Sequence, residues 1–307
     1  MVPEELLRPG TFCIYDSVII IGERNDNGFF HAYNFVTNEK YSDFGVFGSG
    51  PDDLNWPVQI SLDNAKAECK VFDQSLRTLY AYEIDSLNRK RYPARRSKIG
   101  EGATRVVQQN DSTFYCIGLF QEGMFGRSVN GKMLEYYLGY PDMKDKEFEF
   151  ENAFDKFMLF QGELAMKPDC SKFVYVSSRC DLLKIITIEN QSLIEICSRS
   201  TYFPKYIKQN NAFAILRDNL NGFLSVSVTN DFIYALYSGR TEKEHSDSHY
   251  FADAVYVIDW DGNLIKKLIL DQDAWKIYVD EVSQKLYTIH YERKETDTEV
   301  HYFVYKL

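Results

Sequence analysis

The chain has 307 residues, 45% hydrophobic and 26% charged, with a formal net charge of −10. That balance belongs to a globular protein able to bury a core without staples, and the acidity argues against a nucleic-acid partner because phosphate backbones are repelled at long range. No run approaches the roughly 18 apolar residues that a transmembrane helix needs.

The N-terminal stretch "MVPEELLRPG" has no basic region followed by an apolar one, so it does not read as a secretion signal. "VIIIGER" (18–24) and "FFHAYNF" (29–35) then read as strands around Asn27-Gly28, a tight-hairpin signal. "GSGPDDLNWP" (48–57) tempts a phosphate-loop reading. A dinucleotide loop needs a third glycine and a following helix, whereas here Pro51 follows the second glycine and the strand "VQISL" comes next, so a chain corner is expected.

"CKVFDQSLRTLYAYEID" from Cys69 is an apolar run, a polar turn and a second apolar run. "RKRYPARRSK" (89–98) follows, with six basic residues in an acidic protein. Its plain reading is a solvated link between two blades. Its functional reading is a contact for an acidic partner, with Arg91, Arg95 and Arg96 as forks for carboxylate or sulfate and Tyr92 adding stacking.

"GRSVNGKM" (126–133) matches G-x-x-x-x-G-K but ends in Met, which cannot bind Mg²⁺ as the P-loop hydroxyl does, and Asn130-Gly131 already accounts for a hairpin. Around Phe150 to Leu159 "EFENAFDKFML" predicts a short helix. "KFVYVSSRCDLLKIITIE" from Lys172 and "AVYVIDWDGNLIKKLIL" from Ala254 repeat the strand–turn–strand unit, the latter through Asp261-Gly262. Between them, "TEKEHSDSHY" holds His245 and His249 in a polar insertion without the H-E-x-x-H pattern, so a solvated loop and no metal are expected. "TEVHYFVYKL" reads as a closing strand, expected beside either the N-terminal strands or residues 276–291.

The six cysteines are dispersed with no C-x-x-C pair, so buried free thiols are expected. No G-x-S-x-G elbow and no cofactor motif is present. The repeated units start at 69, 172 and 254, and each interval holds two units of about 40–50 residues, the size of a four-stranded propeller blade. The pattern therefore predicts an all-β six-bladed β-propeller, one domain over 1–307, in which strands avoid exposed edges.

"GSGPDDLNWP" resembles the G-x-G-P-x-[DE]-[FL]-x-x-P turn between blades of six-bladed propellers. "MKPDCSKFVYVSS" (166–178) is similar to the turn and strand of TolB-type blades, with Cys170 where glycine is usual. "DFIYALYSGR", "VYVIDWDGNLIKKLILD" and "IYVDEVSQKLYTI" resemble the C-terminal half of the TolB-like six-bladed propeller family of Bacteroides-type bacteria. The resemblance implies export to the periplasm or cell surface, often with a lipid tether, and an N-terminus cut from a longer precursor. A cytoplasmic location is the alternative. The expected function is a non-catalytic, monomeric binding module presenting a loop face or central funnel to a protein or glycan. The rival is a hydrolase or lyase in that funnel, assisted by Ca²⁺.

Overall fold

A computed structural model describes residues 9–89, 92–141, 152–209, 212–246, 248–293 and 298–307. The alternating apolar runs form six antiparallel sheets in which strand order follows chain order, the all-β six-bladed propeller that the pattern predicts. Blades 1 to 5 span 11–44, 57–98, 103–137, 162–199 and 223–274 with four strands each. Blade 6 spans 276–306 with three, and a hairpin of Tyr206–Gln209 and Ala212–Ile215 is inserted between blades 4 and 5.

The chain divides into two compact units, one of 1–101, 130–132 and 278–307, the other of 102–129 and 133–277. Within the first, period-two alternation gives each strand two apolar faces. On Thr11–Tyr15, Cys13 joins Ile20, Phe30, Cys69, Val71 and Tyr82 between blades 1 and 2. Its neighbours Phe12 and Ile14 turn the other way, onto Tyr287 and Ile289 of blade 6. In the second unit, Phe173 and Tyr175 pack with Tyr115 and Phe125 of blade 3, while Val174 and Val176 pack with Phe223 and Ile233 of blade 5.

The hairpins form where expected. Asn130 and Gly131 both have positive φ (50° and 78°), the conformation of a two-residue strand reversal, and glycine takes it without steric cost. In the first hairpin the loop residues are Asp26 and Asn27, one position earlier than the sequence signal, since Asn25 pairs with Gly28. Cys170 sits at φ 58°, so the position where TolB-type blades carry glycine is indeed left-handed. The predicted helix is observed over Ala153–Leu159, capped by Asn152, whose side chain accepts from Asp155 N at 2.9 Å. Phe150 and Glu151 lie outside the described residues.

Thr298–Lys306 pairs antiparallel with Lys285–Arg293, the second of the two expected placements. Among the described residues blade 6 meets blade 1 through side chains, with Val300 and Tyr302 against the Phe12 cluster, rather than through a shared ladder. All six cysteines are free.

Candidate functional site

The corner at 48–57 is closed on itself. Gly50 N donates to Asp53 Oδ2 at 2.6 Å, so the protein's own carboxylate occupies the cradle that a phosphate would need. Fully buried Asp73 fixes the other end, accepting from Asn55 N (2.6 Å), Trp56 N (2.7 Å) and Leu76 N (2.9 Å).

The basic segment is not a link between blades. It leads into Arg95–Lys98, the outer strand of blade 2, where exposed charge blunts an open edge. Arg95 reaches Glu68 (2.6 Å), a carboxylate only 6% exposed, and Arg96 reaches Pro51 O (2.5 Å) and Asp52 (3.4 Å). Adjacent strand residues face opposite ways, so these two arginines do not share one grip. Tyr92 is exposed, and Arg91 lies outside the described residues.

The connections of unit 102–277 divide by length. Antiparallel order puts the links between second and third strands, and those between blades, at one end; the remaining hairpins fall at the other. The hairpin end has tight turns such as 167–171 and 190–191. The opposite end carries 119–124, 138–161 with its helix, 178–182, 200–222 and 238–251. Six large apolar side chains there, Leu119, Phe154, Ile207, Leu216, Leu220 and Tyr250, are each between 36% and 55% exposed.

These long connections are clamped. Asp181 accepts from Ser200 Oγ (3.0 Å), Thr201 N (2.9 Å) and Thr201 Oγ1 (2.5 Å), tying 178–182 to 200–222. Asn219, 3% exposed, accepts from Lys205 N (2.7 Å) and donates to Arg179 O (3.0 Å). Asn221 donates to His249 O (3.0 Å), and Lys243 N donates to Arg217 O (2.8 Å), joining 200–222 to 238–251. Gly222 packs so closely on Ser177 and Cys180 that a Cβ would sit 1.8 Å from Cys180 O. Arg240 braces 238–251 by a two-pronged bond to Asp273 (2.6 and 2.7 Å). The insertion holding His245 and His249 is solvated over Lys243–Ser246, as expected and including His245, but turns inward at His249, which is buried; Asp247 lies outside the described residues.

Two cavities open at this end. One of about 200 Å³ is lined by Arg179, Asn219, Asn221, Glu242, His249 and Tyr250, with Ile215 and Leu216. The other, about 80 Å³, is lined by residues including Arg105, Gln161, Glu163, Ser178 and Phe223. Glu163 stands on the first strand of blade 4, between Arg105 Nε (3.3 Å) on the first strand of blade 3 and Lys276 Nζ (3.2 Å). Burial raises the Glu163 carboxyl, but Lys276 and Arg105 outweigh it and hold the group below the usual glutamate range. A carboxyl so held stays charged, an anchor for cations rather than a proton donor. Sequence inspection misses this site because its members lie far apart in the chain; the lengths of 200–222 and 238–251 were the available signal.

A family model described as TolB-like 6-blade propeller-like matches residues 8–282. No curated protein matches. Among solved structures, a Bacteroides fragilis protein described as exported superposes with TM-score 0.58 at 9% identity, covering 100% of this chain and 93% of that one. A member of the duf4221 family from Bacteroides vulgatus gives 0.54 at 10%, covering 98% and 96%. Hydrazine synthase of Kuenenia stuttgartiensis gives 0.51 at 11%, covering 98% and 97%. At these identities the likeness concerns the fold alone. Among the described residues no helix is long and apolar enough to cross a membrane.

Proposed function

This chain belongs to the TolB-like six-bladed propeller family, and on that premise we propose that it is a non-catalytic binding module, one domain over 1–307, that holds a protein or glycan on the long-connection end of its 102–277 unit. The observation that carries the reading is the gathering of clamped connections and six exposed apolar side chains at one end, opposite plain hairpins. Binding surfaces need apolar anchors on a rigid frame, and loops set on a rigid scaffold are where such anchors occur. The lowered Glu163 carboxyl argues against a general-acid role at the neighbouring cavity, since a general acid needs a raised pKa. The exported relative supports a site of action in the periplasm or at the cell surface, with a lipid tether as the finer proposal.

The test compares the wild type with a Phe154→Asp, Leu216→Asp variant on a printed glycan panel and in crosslinking to cell-envelope proteins. Both side chains are exposed, so the variant should keep its melting temperature and lose its partner. Equal binding by both proteins would refute the assignment to this end, and turnover of a panel glycan would move the protein to the enzymes.

A further inference from the structure

The larger cavity has an unbalanced charge. The part-buried arginines Arg105, Arg127 and Arg240 of the same unit each bond a carboxylate, at 3.3, 3.0 and 2.6 Å. Arg179 is enclosed enough that burial lowers its pKa, yet its partners are neutral: the Tyr250 hydroxyl, and the Gln161 amide. With its oxygen turned toward the guanidinium, that amide accepts from Nη2 (2.6 Å) and Nε (2.5 Å). Among the described residues the one acid lining the cavity, Glu242, is taken by Arg217 Nε at 2.9 Å. A cation withdrawn from water is costly unless an anion accompanies it.

The other walls define what that anion carries. Gln161 takes the Nε–Nη2 edge of the guanidinium, whose fork geometry is one that a planar carboxylate matches. His249 Nδ1 faces two carbonyls, Ser246 O (3.0 Å) and His245 O (3.3 Å), and donates to them, which leaves Nε2 as the ring's other polar atom. A ligand hydroxyl, which both donates and accepts, can pair with that nitrogen in either role. Tyr250, its ring 3.7 Å from that of His249 and half in solvent, offers an aromatic lip. Asn219 and Asn221 spend their amides on the backbone and make the walls rigid. The volume, about 200 Å³, falls below the range of about 300–1,000 Å³ usual for drug-sized ligands, so the occupant is small.

We propose that this cavity binds a small hydroxy-carboxylate, the chemistry of an acidic sugar, with the carboxylate on Arg179 and a hydroxyl on His249 Nε2. The proposal rests on reading the long-connection end as the ligand surface and gives that surface a specific pocket.

Isothermal titration of the full chain with D-glucuronate and with D-glucuronamide, which keeps the shape and removes the charge, tests it. Glucuronate should bind saturably at one site, and the amide at least about tenfold more weakly, as loss of a charge-assisted pair requires. Arg179→Gln should weaken glucuronate by about tenfold or more and leave the amide unmoved. Since Arg179 also supports Gln161, the variant's fold is checked by melting; should it unfold, the ligand pair on the wild type decides alone. No saturable glucuronate binding, or equal affinity for acid and amide, overturns the proposal. Because Phe154 and Leu216 are the residues varied in the test of the broader reading, a partner lost there while glucuronate fails here would leave the face standing and remove only the pocket.

Discussion

Replacing Glu163 by glutamine removes the anion shared by Arg105 and Lys276 without changing its shape. The contacts lie at 3.3 and 3.2 Å. A unit pair near 4 Å is worth about 4 kcal/mol at an effective dielectric near 20, before desolvation and screening. Breaking one partner of a buried pair typically costs about 3–5 kcal/mol. The three side chains keep between 18% and 26% of their surface in solvent, so a loss of about 2–3 kcal/mol at pH 7 is expected. That corresponds to roughly 4–10 °C in melting temperature. The pH dependence separates charge from shape. The folded pKa of Glu163 is depressed, so its contribution is fully present above the unfolded value near 4.3 and is lost as pH falls through the folded value. The gap between wild type and Glu163→Gln, measured by urea unfolding at stepped pH, should therefore be full at neutrality and shrink towards pH 3. A gap that is absent at pH 7, or that persists unchanged in acid, would refute the reasoning.

Asp73→Ala should cost about 2–3 kcal/mol in urea unfolding, because it strands the N–H donors of Asn55, Trp56 and Leu76 at once. Arg95→Ser should destabilise by about 1–2 kcal/mol by leaving the buried Glu68 carboxylate without its guanidinium, whereas Arg96→Ser should shift the melting curve little. Ending the chain before Thr298 removes the outer strand of blade 6 and the cover that Val300 and Tyr302 give the Phe12 cluster, so insoluble or molten protein is expected. A soluble, monomeric truncation melting within a few degrees of wild type would contradict this.

The fold was legible because its signals are local. Asn130-Gly131 and Asp261-Gly262 mark reversals, and the doubly apolar strands such as "KFVYVSS" mark sheets covered on both faces. The turn at 166–172 was readable even with Cys170 in the glycine position, since the backbone demand is met by a strained residue rather than a different shape. The site was not legible. "SSRCD" reads as an ordinary polar turn, and nothing local says that Arg179 meets Gln161 while Asp181 is consumed by Ser200 and Thr201. His249 looked solvated because Lys243–Ser246 before it are, whereas the bonds from Asn221 and Ser238 to its carbonyl draw this end of the segment inward. The basic run was visible by composition, but its destination on an edge strand is set by pairing with Thr78–Ala81, more than ten residues away.

The clamping of 178–182, 200–222 and 238–251 bears on how such a surface diversifies. Free loops drift one at a time, each insertion tolerated by itself. Here Asp181, Asn219 and Asn221 make the three connections answer to one another, so a new length in one leaves unpaired groups in the next. The heritable unit of specificity is the trio. Grafting this surface onto another propeller, or swapping a relative's surface onto this one, should succeed only when all three segments travel together with Gly222, the position that lets two of them touch.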